Sequence, residues 1–142
     1  MVDAKLADFR EIIENYVDIV FANEEEARSF TGREPEGALK EMSKYCETAI
    51  IKVGSEGSWI TRGEEVIKIG TSKINLKDTT GAGDLYASGF LYGYAGDESL
   101  DVCGRFGSIL AGHVIEIVGA RMDRTKFNEI RAAIIKISKQ GD

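Results

Sequence analysis

Apolar residues recur at helical spacing near the start of the chain. Leu6, Phe9, Ile12, Ile13, Tyr16 and Val17 form a stripe that predicts an amphipathic helix. The apolar run VDIVFA (17–22) then reads as a short buried strand, and NEEEARSF (23–30) starts a new helix with Asn23 as its N-cap. Leu39, Met42 and Tyr45 mark a third helical stripe, and TAIIKV (48–53) a second buried strand. GSEGSW (54–59) is a turn leading into SWIT, and Arg62-Gly63 turns the chain again into EVIKIG. The pattern there is a small antiparallel meander. KINL (73–76) predicts a further strand before three closing helices. Cys103, Phe106, Leu110, Val114 and Ile117 line one of these, and Phe127, Ile130, Ile134 and Ile137 line the last. Pro35 falls between two helices. Buried strands alternating with helices predict a layered α/β fold with a partly parallel sheet. No linker or repeat divides residues 1–142, which read as a single domain.

That pattern places three loops together. ANEEE, KVGSEG and DTTGAGD each follow an apolar strand. In a parallel sheet such loops emerge at the carboxyl edge, where open α/β folds bind ligands. In the third loop, Gly81-Ala82-Gly83 at a helix start can gather backbone N–H groups around one anion, helped by the helix dipole. Asp84 follows at once. It serves either as a simple dipole partner of the helix or as a base that takes a proton from a substrate hydroxyl. Two other phosphate motifs are excluded: there is no Gly-Lys-Ser/Thr of a P-loop, and a dinucleotide fingerprint would need glycine where Tyr86 stands.

Composition narrows the classes further. With 142 residues and 43% hydrophobic content the chain can build a proper core. A net charge of −6 argues against nucleic acid as a partner, because phosphate-backbone binding needs a basic face. No apolar run suits a bilayer or a secretory signal, so no membrane partner is expected and a cytoplasmic location is. Cys46 and Cys103 sit at apolar positions without metal or redox spacing and read as reduced core residues. His113 reads as a packed histidine, Trp59 as core, and Tyr86, Phe90, Tyr92 and Tyr94 as aromatics packing a buried helix. Gly89 and Gly93 read as positions of close helix packing. Arg121 could serve a phosphate or cap a helix.

DTTGAGD closely resembles the second signature of the ribokinase-like (PfkB) family of carbohydrate and nucleoside kinases. The other loops follow in family order. NEEE resembles its Asn-x-x-Glu element, KVGSEG its nucleotide loop, and SILAGHVIEIVGARM its closing adenine-side helix and Gly-Ala turn. The resemblance covers nearly the whole chain. It implies an α/β/α ribokinase-like fold, present in part, with the N-terminal substrate half and lid absent.

It also implies ATP-dependent phosphoryl transfer to a hydroxymethyl group of a sugar or nucleoside. Asp84 would be the general base, and Gly81, Ala82 and Gly83 the anion hole. Lys52, Gly54, Ser55 and Gly57 would lie against the nucleotide, and Ser108 and Gly112 near its adenine. Lys52 departs from the threonine that many members carry. Asn23 and Glu26 would position Mg2+ through water. Asp78, Thr80 and the turn at Gly119 match carbonyl positions for a monovalent cation such as K+. A chain without the substrate half is expected to be weakly active or inactive, and to self-associate through the face the missing half would cover. The alternative is a nucleotide-binding or interaction module that transfers nothing.

Overall fold

The computed structural model describes residues 2–71, 81–114 and 124–140. Chain contacts divide it into two compact units, Met1–Lys68 and Ile69–Asp142.

The first unit is α/β. Helix α1 (Val2–Tyr16) leads into strand β1 (Ile19–Asn23), helices α2 (Glu24–Thr31) and α3 (Pro35–Met42), and strand β2 (Thr48–Lys52). A 3-10 turn at Gly54–Glu56 then feeds strands β3 (Ser58–Arg62) and β4 (Glu65–Ile69). The sheet order is β1-β2-β3-β4. β1 and β2 run parallel, with Ile19 opposite Thr48 and Asn23 opposite Lys52, while β2 and β3 are antiparallel. The expected mixed sheet with its meander is present. Among the described residues β1 forms one edge.

Local chemistry explains these boundaries. Asn23 Oδ1 accepts the Glu26 N–H at 2.8 Å and Glu26 Oε2 accepts the Asn23 N–H at 2.8 Å, a reciprocal capping box. Gly32 ends α2 with φ 69°, its N–H donating to the Arg28 carbonyl at 2.7 Å. Pro35, expected merely to fall between helices, is instead the first residue of α3, where its missing N–H costs no helical hydrogen bond. Tyr45 lies past the end of α3 yet still packs edge-on against Phe30.

Ala27, Leu39, Met42, Ala49, Ile51 and Val53 form a core with Ile13 of α1, and Trp59 packs partly against it. Each fully buried aliphatic side chain contributes on the order of 2 kcal/mol. The α1 stripe is wider than its contact face. Leu6, Ile13 and Val17 reach the core, but Phe9 and Ile12 are half exposed and Tyr16 is 83% exposed. Cys46 and Cys103 are free thiols, and burial pushes the Cys46 thiol up to about 11.

The second unit takes up the last residue of β4, Ile69, and holds three helices among its described residues: α4 (Ala82–Ala95), α5 (Leu100–Val114) and α6 (Arg124–Ser138). The predicted strand KINL, and Ile117 of the α5 stripe, lie outside the described residues. α4 and α5 press backbone against backbone. A Cβ on Gly89 would stand 2.5 Å from the Phe106 carbonyl oxygen, and one on Gly93 3.1 Å from Cys103 Sγ. A Cβ on Gly107 would meet the Tyr86 ring at 2.9 Å. Contacts ascending α4 descend α5, so the two helices are antiparallel. Phe90 and Phe106 are fully buried, but Tyr92 is 66% exposed, contrary to its expected packing. It lies only two positions from Phe90, which on a helix turns it to the rim of the packed face, where one side of its ring meets Phe106 at 6.0 Å between centroids. Phe127 is exposed for a similar reason: Ile130 is the buried anchor of α6, and the stripe extends past the contact.

Candidate functional site

Each unit gathers one part of the expected site. In the first, the β1–β2 register brings the two carboxyl ends level, so the α2 start and the turn after β2 leave the sheet side by side. Lys52 is half-buried, and Gly54 and Ser55 are exposed. Gly54 has φ 57°, and Gly57 has φ 99° with ψ −127°, a backbone region essentially reserved for glycine. The turn is closed by the Val53 N–H donating to the Gly57 carbonyl at 2.9 Å and the Gly57 N–H to the Gly54 carbonyl at 3.2 Å. Gly57 is buried, so it shapes the loop from within, while Gly54 and Ser55 form its outer surface.

Glu26 is exposed, and its Oε2 is held in the capping box. Among the described residues no cluster of three or more His, Cys, Asp or Glu could cage a metal. Asn23 and Glu26 therefore suit an ion that keeps most of its own water, as magnesium does. The sequence did not single out Glu24. Its Oε1 lies 3.7 Å from where a Gly54 Cβ would stand. Three consecutive glutamates look alike until the helix phase fixes which one turns towards the neighbouring loop.

In the second unit the critical element is the start of α4. Gly81 is its N-cap, with φ 84° and no side chain to give the first-turn amides. Ala82 and Gly83 are half-buried. Asp84 is exposed, and among the described residues no hydrogen bond or ion pair engages its carboxylate; only its carbonyl is used, accepting from the Ser88 hydroxyl at 2.8 Å. Because α4 and α5 are antiparallel, and Tyr86 meets Gly107, the Asp84 end of α4 lies beside the later turns of α5. Ser108, half-buried, and Gly112, buried, stand four residues apart on those turns, hence on one face. Asp78, Thr80, Gly119 and Arg121, and the side chain of His113, lie outside the described residues.

A protein-family model described as pfkB family carbohydrate kinase matches residues 1–126. The chain belongs to the pfkB family. This pfkB chain is 34% identical to an uncharacterized sugar kinase of Archaeoglobus fulgidus over 117 residues, 82% of this chain and 46% of that protein. It is 33% identical to a ribokinase of Lactococcus lactis over 122 residues, 84% of this chain and 39% of the relative. The crystal structure of adenosine kinase from Sinorhizobium meliloti superposes with a TM-score of 0.83 at 38% identity, over 93% of this chain and 41% of that one. The fold is thus the ribokinase fold in part, and the chain spans less than half the length of these relatives. No helix among the described residues is long and apolar enough to cross a membrane.

Proposed function

We propose that this pfkB chain is the nucleotide-binding portion of a kinase that transfers the γ-phosphoryl group of ATP to a hydroxymethyl group of a sugar or nucleoside. The observation that carries this reading is the start of α4, where an exposed Asp84 carboxylate, unengaged among the described residues, follows the side-chain-free cap at Gly81. Family membership and the kinases among its relatives support it.

In this reading Asp84 accepts the proton of the acceptor hydroxyl as its oxygen bonds to the γ-phosphorus. The bond from that phosphorus to the β–γ bridging oxygen breaks, and ADP leaves. The amides at Gly81, Ala82 and Gly83 hold the charge on the moving phosphoryl oxygens. Gly54 and Ser55 face the nucleotide, with Gly57 shaping that turn and Lys52 at its foot. Ser108 and Gly112 border the adenine. Asn23 and Glu26 would hold magnesium through its waters, and that ion would neutralise β- and γ-phosphate charge.

A second reading follows from the length of the relatives: the chain by itself binds nucleotide, or a partner, and transfers nothing. Self-association through its exposed apolar stripe at Phe9, Ile12 and Tyr16 belongs with that reading.

Calorimetric titration with ATP and magnesium, followed by transfer assays over a panel of sugars and nucleosides, tests both. The first reading expects saturable binding that Gly83→Val weakens. In an intact kinase carrying the substrate half, it expects Asp84→Asn to bind ATP within about twofold of wild type while transfer falls on the order of a thousandfold. Binding without transfer to any acceptor, even with the substrate half supplied, selects the second reading. Absence of nucleotide binding defeats the first.

A further inference from the structure

One of the three adjacent glutamates at the start of α2 reaches the glycine turn. Glu24 Oε1 lies 3.7 Å from the point where a Cβ on Gly54 would stand, and no atom of Glu25 or Glu26 comes within 4 Å of it. The approach follows from the sheet register. Asn23 pairs with Lys52, so the first residue of α2 and the turn after β2 leave the same edge together. Gly54, at φ 57°, has no side chain to stand between that carboxylate and whatever occupies the turn. Glu26 also serves the capping box, its Oε2 accepting the Asn23 N–H at 2.8 Å.

We propose that Glu24 is a positioning residue that makes nucleotide binding at the Gly54–Gly57 turn selective for the magnesium complex over bare triphosphate. The inference rests on reading that turn as the nucleotide loop. A fixed carboxylate beside a polyphosphate repels it, and like charges a few ångströms apart at a protein surface still interact strongly. Magnesium roughly halves the net charge of the ligand, and its retained waters can donate hydrogen bonds to the carboxylate. The same side chain therefore opposes one form of the ligand and accepts the other. In the capping box Glu26 stabilises the helix; Glu24 reads the charge of what sits on the loop.

The test is a ratio. The 142-residue chain is titrated with ATP in excess magnesium and with ATP in excess EDTA, and the two dissociation constants are divided. Glu24→Gln is expected to shrink the preference for the magnesium complex by about five- to tenfold, chiefly by tightening bare ATP. Glu25→Gln, which removes the same charge one residue away, is expected to leave the ratio within about twofold of wild type. An unchanged ratio in Glu24→Gln overturns the inference and leaves the nucleotide reading intact. An equal fall in Glu25→Gln also overturns it, because net charge would then be the cause. Failure of wild type to bind ATP in either medium overturns the nucleotide reading, and the inference with it.

Discussion

Helices α2 and α4 both carry an acid at the third helical position: Glu26 in one, Asp84 in the other. There the likeness stops. α2 is closed by its own side chains, with Asn23 and Glu26 each satisfying the other's backbone N–H at 2.8 Å. α4 starts from a glycine at φ 84° that offers its amides nothing, and its acid is one methylene shorter. That acid is not hydrogen-bonded to the cap. A helix end whose donors are consumed internally contributes stability. One whose donors are left open, with a carboxylate beside them, is suited to an anion and a proton transfer. The two ends show why an acid near a helix start says little until its partners are known.

The comparison depends first on the rigidity beneath the open end. Gly89→Ala would push a methyl group to 2.5 Å from the Phe106 carbonyl and part α4 from α5. We expect a loss of about 3 kcal/mol, read as a lower urea midpoint, together with weakened nucleotide binding. A variant as stable as wild type would show the seam to be compliant. Opening the closed end should cost less. Asn23→Ala is expected to lose about 1 kcal/mol of stability, read in the same urea titration.

Closing the open end is the sharper operation. Asp84→Glu keeps the charge and adds the methylene that lets an acid at this position reach back to the cap N–H. It should gain a few tenths of a kcal/mol in thermal melts while transfer falls. A gain in both would break the contrast.

The smallest effect serves as a control away from either helix start. Burial raises the Cys46 thiol to about 11, so the folded form holds its proton where the unfolded chain releases it, near 8.5. The stabilisation is complete below that lower value and is lost as pH rises through about 11. Melting temperatures of wild type and Cys46→Ala measured from pH 8 to 11 should converge as this contribution disappears.

Much of this was legible in the sequence wherever the chemistry is local. Asn23 followed by Glu26 announces a capping box, because both partners lie within one turn. Strand, helices and strand from 19 to 52 announce a parallel pair, since only a crossover can join strands running the same way. Gly89 and Gly93, one turn apart, announce a close approach. What was not legible depends on neighbours distant in sequence. Periodicity locates the apolar stripe of α1 but not the width of the surface that meets it, so Phe9, Ile12 and Tyr16 were expected to pack more fully than they do. Tyr92 was assigned to the core by its company rather than by its helical angle. Glu24 could be told from Glu25 only by the position of Gly54 across the sheet edge.

The seam between α4 and α5 has an entropic side. Where Gly89 and Gly107 make the contacts, the glycine side of each has no rotamers to freeze, so the seam forms at little side-chain cost. The cost moves to the unfolded state, where glycine samples more backbone conformations than any other residue and loses them all on folding. The chain thus gives up freedom when disordered for stiffness when folded. That stiffness begins at the contact of Tyr86 with Gly107, two residues beyond Asp84. In the proposed reading of Asp84, a base that must meet a hydroxyl at hydrogen-bond distance stands on a strut with few ways to bend.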